Sequence, residues 1–571
     1  MSLSLVWFRR DLRLHDHPAL TLACRHGPVL PLFVLDPALL QHPETGVGRV
    51  AFLLESLRAL DGDLRRRGGR LLVRCGDPLA VIAALVRQCR VGRLFVHVDA
   101  ERIVGRVRDG RLERHCAAAG IPLHWIEPPG GTGDLLPYPD YRRFWHRSAA
   151  ETPLPPPAWV PVPPPDPRMP ALADQPVPDL EALGLRSDGK PLPPAGTAAA
   201  LERLSRFQQG PAARTYHWQL SQPAARVTTG LSPYLKFGVV TPRQCLAAVA
   251  PMAAEPPLRR SWQQLVSRLR WGAGMAQRFR YLPQLELRSL WREFDPPLEE
   301  EGLTPAQEEL YRAWQEGHTG FPFIDATARA LLAEGGWQEL NFRSRAISAS
   351  FLTHLCGIDW RYGALHFMRH LLDGDCPIDH YQWAMQAGVL PAGAAGWSRM
   401  YHPGQVAVDR CDPQGLFVRR WVPELAHLTN DQLGAPPPQR HYPPPILNYA
   451  EARQRRLEQL EQRRRSLPAL PTSGSSADWI ERIAPLPERP IPFGAERFPA
   501  AVVGWAEAAG PMVPPPLPLE ALDAGQRAAL ATWFVPSSRG ASRAPARTAS
   551  GSRRRRAAPG DAVQLELWDQ A

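Results

Sequence analysis

Leu3-Ser4-Leu5-Val6-Trp7-Phe8 opens the chain as a short apolar run, closed by the charged Arg9-Arg10-Asp11. Four more runs of this kind lie within the first 130 residues: Val29 to Leu35, Arg70 to Cys75, Arg93 to Val98 and Pro122 to Ile126. Longer helix-like segments separate them, among them Val50 to Arg67, Pro78 to Arg90 and Arg106 to Ala119. Buried strands alternating with helices predict a parallel sheet covered on both faces, an α/β unit. Ligand crevices in such sheets lie beyond the carboxyl ends of the strands. This half has no G-x-G-x-x-G and no P-loop, so its sequence names no ligand.

Outward from that unit the pattern changes. From Thr152 to about Pro194 prolines dominate, as in Pro155-Pro156-Pro157 and Pro163-Pro164-Pro165. Proline fixes φ and removes amide donors, which predicts an extended or partly disordered connector. From about Ala198 to Arg465 apolar residues recur at helical spacing, for example in Ser261 to Arg280, Pro305 to Glu316, Phe342 to Leu355 and Tyr362 to Leu372. After Leu467 the chain is rich in Pro, Ala, Gly and Ser and carries Arg553-Arg554-Arg555-Arg556. That composition predicts disorder over much of it, with a short helix around Leu519 to Phe534. The domain boundaries read as 1–130 for the α/β unit, 131–197 for the Pro-rich linker, 198–465 for an all-α domain and 466–571 for a largely disordered tail.

The chain has 571 residues, is 44% hydrophobic and 22% charged, and has no apolar run of the ~20 residues needed to span a bilayer. Its first residues run straight into a strand pattern without a signal-peptide n-region, and a cytoplasmic protein is expected. The eight cysteines form no C-x-x-C pair, which predicts reduced, buried thiols and no metal site. The net charge of +11 is almost all arginine, since only Lys190 and Lys236 are lysines. A basic surface favours a polyanion such as DNA, although an Arg-rich compositional bias gives the same total.

Several motifs carry chemistry, each with a plainer alternative. Thr228-Thr229-Gly230-Leu231-Ser232 precedes a helix starting near Pro233, and hydroxyls and free amides there could cradle a pyrophosphate. An ordinary capped helix would look the same. Tyr216 lies one short loop upstream. Asn341-Phe342-Arg343-Ser344-Arg345 opens another helix, and Arg345 could pair with a carboxylate or lie over a flat ring. It could equally be a surface arginine. Asp373-Gly374-Asp375 ends a helix in an acidic turn, with Asp379 following: one acid could hold Arg345 and the other a ligand hydroxyl or ring amide, or the turn could simply be solvated. Too few oxygen ligands gather there for a hard metal. Trp360 and Trp383 are core aromatics unless a redox cofactor sits beside them.

The opening Val6-Trp7-Phe8-Arg9-Arg10-Asp11-Leu12-Arg13-Leu14-His15-Asp16 resembles that of photolyases and cryptochromes. So do Leu231-Ser232-Pro233-Tyr234-Leu235-Lys236-Phe237-Gly238, Trp314-Gln315-Glu316-Gly317, Ala349-Ser350-Phe351-Leu352 and Phe417-Val418-Arg419-Arg420-Trp421-Val422-Pro423-Glu424-Leu425, in family order up to about residue 465. The resemblance implies a Rossmann-like α/β antenna domain, a long linker and a helical domain holding FAD folded into a U. It implies that Tyr216, Thr228, Thr229, Gly230, Leu231 and Ser232 surround the FAD phosphates. Asn341 and Arg345 join the cofactor site, Arg345 pairs with Asp373 beside the ring, Asp375 lies near the ribose or ring edge, and Asp379 faces flavin N5. Trp383 and then Trp360 relay electrons to the photoexcited flavin.

The sequence also departs from the family pattern. Asn is common where Asp379 stands. No Trp matches the outermost relay position, which falls near Thr304, so Trp291, Tyr311 or another route has to serve. In the lesion-facing segment Trp271 remains, but Arg268 replaces a Glu and Gly272 an Arg; Met385 replaces a second Trp and Ala346 a Met. Residues 337 to 345 carry a short insertion. The Asn-Glu pair expected to grip a folate falls on Val104-Gly105, leaving the antenna chromophore unassigned. Two functions follow from the resemblance: a DNA photolyase, with Trp271, Arg268, Arg270, Arg343 and Met385 toward UV-damaged DNA, or a cryptochrome-type blue-light receptor whose C-terminal tail engages a protein partner.

Overall fold

Strand β1 (Leu3–Phe8) is the central strand of a five-stranded sheet. The computed structural model describes residues 3–99, 102–163, 172–295, 302–390, 400–466, 482–483, 493–494 and 522–534. In it β2 (Val29–Leu35), β3 (Leu72–Cys75), β4 (Val91–His97) and β5 (Leu123–Ile126) complete the sheet in the order β3-β2-β1-β4-β5. Every pairing is parallel, with Leu5 opposite Leu30 on one side and Leu94 on the other. β1 and β2 coincide with the apolar runs, whereas β3 and β5 begin later than expected and β4 earlier.

Side chains alternate across a strand, and here the two faces enter different cores. Leu5, Trp7, Leu30, Leu32, Leu94 and Val96 join a small cluster on one face of the sheet. Val6, Phe8, Val29 and Phe33 join a large cluster that continues through the helical half. Within that large cluster Phe52 joins the α/β half to the helical half, its ring 5.4 Å from Tyr234 and 6.0 Å from Phe237. Polar ties follow the same seam. Asp16, fully buried with φ of 52°, accepts from Thr241 Oγ1 at 2.7 Å and is paired with Arg243.

The helical half contains Thr197–Gln209, Pro256–Tyr281, Pro305–Glu316, Pro322–Glu334, Phe342–Ser350, Trp360–His370, Cys376–Gln386 and Tyr449–Ser466, among others. Proline in the first turn of several of them removes only an amide that has no partner there. Among the described residues no helix is long and apolar enough to cross a membrane.

One expectation changes. The stretch read as linker from residue 131 includes a helix, Tyr138–Ala150, whose Tyr141 and Trp145 are fully buried. In the tail, the short helix expected around Leu519 to Phe534 is Ala524–Ala531, and it is docked. Trp533 after it lies 5.0 Å from Tyr138 and 4.9 Å from Tyr141, with the Arg278 guanidinium over its ring. Arg553 to Arg556 lie outside the described residues.

Candidate active site

The helix Trp360–His370 ends, and the chain turns through Asp373-Gly374-Asp375 into Cys376–Gln386. Glycine is required at the centre of the turn: a Cβ would fall on the Arg49 guanidinium and 3.1 Å from Met368 Sδ. Arg49 cannot yield easily, because it donates to the carbonyls of Met368 at 2.6 Å and Leu371 at 2.9 Å. The turn delivers its acids to the wall of a cavity of about 570 Å³.

Asp373 Oδ2 accepts from Arg345 Nη2 at 3.0 Å, so the two residues meet as the sequence reading expected. Arg345 is steadied by donating Nε to Leu340 O at 3.0 Å and Nη2 to Gly336 O at 3.1 Å. Asp375 takes other cations, Arg10 Nη1 at 2.9 Å and Lys236 Nζ at 3.8 Å. Asp379 sits one turn further on and is 9% exposed. Burial pushes its carboxyl up to about 7, against the pull of His380 beside it.

Trp383 forms another part of the wall, held edge-on by Phe367 at 5.1 Å and Trp314 at 6.1 Å. Tyr216 and the whole Thr228-Thr229-Gly230-Leu231-Ser232 loop also line the cavity. Gly230 supplies a left-handed residue, φ 63°, at the point where the loop turns. The helix that follows is only Ser232–Lys236, so the loop residues themselves, not a long helix dipole, form this part of the wall. Trp271 and Arg268 line the same cavity: Trp271 meets Phe342 edge-on at 6.1 Å, and the Arg268 guanidinium lies 5.5 Å from that ring.

Other expected residues stand elsewhere. Asn341 caps its helix, accepting from the amides of Arg343 at 2.9 Å and Ser344 at 3.1 Å, and is not part of the cavity wall. Met385 is not on the wall either: on the helix Cys376–Gln386 it leaves in a different direction from Gln382, Trp383 and Gln386, which are. Arg270 is buried against the helix Tyr138–Ala150, near His146, so it does not face the cavity. Arg343 is set outside the wall, donating to Tyr401 Oη at 3.1 Å. Trp360 is buried behind the wall, with Nε1 donating to Ser289 Oγ at 3.0 Å and its ring edge-on to His380 at 5.7 Å. Thr304 caps the helix Pro305–Glu316. Trp291 stacks on Phe294 at 5.6 Å. Tyr311 stacks on Trp314 at 6.0 Å.

Sequence reasoning overlooked Arg10, Lys236, Gln382 and Gln386 in the cavity, and Trp314 behind Trp383. A signal existed for some of them: Arg10 lies in the opening signature, and Lys236 is one of two lysines in the chain.

The wall fits a flavin dinucleotide. Asp373 Oδ1, Asp375 Oδ1, Asp379 Oδ2 and both polar atoms of the Gln386 amide are buried without a hydrogen bond. Buried acceptors demand donors, and a flavin dinucleotide brings an imide N–H, an exocyclic amine and ribose hydroxyls. Apolar surface from Leu265, Leu269, Leu340, Ala346 and Phe367 suits the flat rings.

Comparison with known proteins agrees. The family model "DNA photolyase" matches residues 4–164, and "FAD binding domain of DNA photolyase" matches residues 265–462. A deoxyribodipyrimidine photo-lyase of Synechococcus sp. is 34% identical over 477 residues, 78% of this chain and 93% of the relative. Cryptochrome-1 of Arabidopsis thaliana is 30% identical over 80% of this chain and 70% of its own length. The bacterial class III photolyase of Agrobacterium tumefaciens superposes with a TM-score of 0.69 at 25% identity, covering 81% of this chain and 98% of that one. With its parallel sheet, helical half and carboxylate-lined cavity, the chain belongs to the photolyase/cryptochrome family and is an FAD-dependent photolyase-like protein.

Proposed function

We propose that this protein is a DNA photolyase, acting on a UV-induced pyrimidine lesion. The observation that carries the reading is that Trp271 and Arg268 share one cavity with the three acids Asp373, Asp375 and Asp379. Bound FAD would supply the light absorption and the electron donated to the lesion, which is the cofactor's chemistry. Thr228, Thr229, Gly230, Leu231, Ser232 and Tyr216 hold the diphosphate. Arg345 and Asp373 orient the ring, Asp375 takes a ribose or ring donor, and Asp379 holds a proton beside it. Trp383, with Trp360 behind it, lies on the path for electrons entering from the protein. Trp271 offers an aromatic face to a nucleotide flipped from the duplex. Arg268 at the cavity and Arg343 outside it balance phosphate charge.

Several curated relatives at 30–34% identity are named deoxyribodipyrimidine photo-lyase, which supports the reaction class. The eight cysteines are free thiols, consistent with a reducing cytoplasm. A second reading, a cryptochrome-type blue-light receptor, is favoured by one feature: the segment 522–534 docks on Pro256–Tyr281, the helix that carries Trp271. The test is light-dependent loss of cyclobutane dimers or (6-4) products from single- and double-stranded DNA by the purified, reduced protein. Repair of either lesion is expected. Absence of repair on all substrates would replace the enzyme by the receptor.

A further inference from the structure

Behind Asp379 lies a buried charge pair with no role in the reading above. His380 Nε2 is 3.0 Å from Glu44 Oε1, and its Nδ1 is 3.8 Å from Asp379 Oδ2. The ring and both carboxylates are out of solvent: Glu44 and His380 are 2% exposed and Asp379 9%. Asp379 Oδ2 and His380 Nδ1 are buried without a hydrogen bond. Glu44 comes from the α/β half of the chain and is fixed from its other side by Arg102 Nη2 at 2.8 Å. Arg102 in turn reaches Glu286 at 3.1 Å, with His42 beside them both.

We propose that His380, clamped to Glu44, is the positioning residue that sets how readily Asp379 releases its proton into the cavity. The imidazolium form uses Nε2–H for Glu44 and leaves Nδ1–H unbonded, 3.8 Å from Asp379 Oδ2. Were a reduced flavin bound, Asp379 would be placed to give its proton to a ring nitrogen, with the O–H bonding electrons staying on the carboxylate. That new charge then lies against the free N–H of His380. The consequence for flavin rests on the cavity reading above; the coupling of His380 to Asp379 does not.

The charges facing this group act together. Burial opposes the imidazolium, but Cys376 and Glu44 beside it raise the His380 pKa well above its ordinary value. Burial pushes the Cys376 thiol up to about 11, so near neutral pH it is uncharged and Glu44 is the partner that keeps the proton on His380. Burial also works on Glu44, yet His380 and Arg102 draw its carboxyl well below the usual range. At Asp379, burial, Glu44 and Asp373 favour the neutral acid, whereas His380 and Arg345 favour the anion. Arg345 is already engaged by Asp373 at 3.0 Å, which leaves His380 as the cation that responds to Asp379.

The test follows the protonated-carboxyl infrared band of Asp379, assigned by its loss in Asp379→Asn, through a pH titration. It is run on flavin-free and flavin-loaded protein. His380→Gln keeps an amide for Glu44 and removes the charge, so the midpoint is expected to rise by about one to three pH units in both forms. An unmoved midpoint overturns the proposal. Should the variant fold poorly, the ¹⁵N shifts of His380 in the unmodified protein decide: an imidazolium between about pH 6 and 8 supports the clamp, and a neutral ring there overturns it. A shifted midpoint in flavin-free protein that retains no added flavin upholds the coupling while refuting the flavin reading.

Discussion

Gly363 lies in the interior of the helix Trp360–His370, where alanine is ordinarily the better residue by about 0.8–1.0 kcal/mol. Backbone propensity alone therefore predicts that Gly363→Ala stabilises the protein. Packing predicts the reverse. A Cβ at 363 would fall on the six-membered ring of Trp383 and 2.8 Å from Leu352 Cδ2. The indole is 2% exposed and wedged by Phe367 at 5.1 Å and Trp314 at 6.1 Å, so it cannot move aside into either of them. Overpacking of this kind costs about 1–3 kcal/mol. Set against the propensity gain, the net effect on folding runs from near zero to about 2 kcal/mol destabilising. The larger effect falls on the cavity, because that is the open side toward which Trp383 can move. Flavin binding is expected to weaken at least about tenfold, equivalent to about 1.4 kcal/mol. Denaturant melts of flavin-free protein and the flavin-to-protein absorbance ratio after desalting measure the two effects separately. A variant that is more stable and carries full flavin would refute the placement of Trp383 at the cavity wall.

Other perturbations read other parts of the site. Asp379→Asn reports on a carboxyl whose folded-state pKa is raised from 3.8 to about 7. The stability that a raised acid contributes is present below about pH 4 and is lost as pH rises through about 7. The Asn variant should therefore gain on the parent by about 1.4 kcal/mol per pH unit across that window, up to about 4 kcal/mol, in flavin-free guanidinium melts; a pH-independent difference would contradict the burial argument. Arg345→Ala removes a charged hydrogen bond of about 1.5–3 kcal/mol from Asp373, so flavin retention should drop about 10- to 100-fold if the pair holds the ring, and full occupancy would exclude it. Trp383→Phe should slow flavin photoreduction in transient absorption, and unchanged kinetics would remove Trp383 from the electron path.

How much of this was legible in the sequence depended on how local the cause was. β2 is apolar throughout and β1 is interrupted only by the buried Ser4, because both faces are buried, and their limits could be read directly. β4 begins at Val91, but Gly92 and Arg93 break the apolar pattern and hide its start. The helix Tyr138–Ala150 was masked by its own polar composition, although Tyr141 and Trp145 anchor it in the core. The same division holds in the site. The pairing of Arg345 with Asp373 could be anticipated because each partner has a characteristic local setting, a helix start and an acidic turn. Arg10 as the partner of Asp375 could not, since the two residues are 365 positions apart in the chain. Helical phase and capping separate two expected residues from the cavity wall: Met385 lies off the face that carries Gln382, Trp383 and Gln386, and Asn341 caps its helix.

The three acids of the site differ in what balances them, and that difference assigns their chemistry. Asp373 has Arg345, and Asp375 has Arg10 with Lys236 behind it, so each has a counter-charge on one oxygen and a buried second oxygen left to accept from a ligand. Among the described residues Asp379 has no cation at hydrogen-bond distance; His380, 3.8 Å away, is held by Glu44. A buried carboxyl without a counter-charge keeps its proton. Of the three, Asp379 is therefore the one equipped to donate rather than accept. Moving a single cation would exchange these roles, so the placement of the counter-charges, not the residue type, sets what each Asp does.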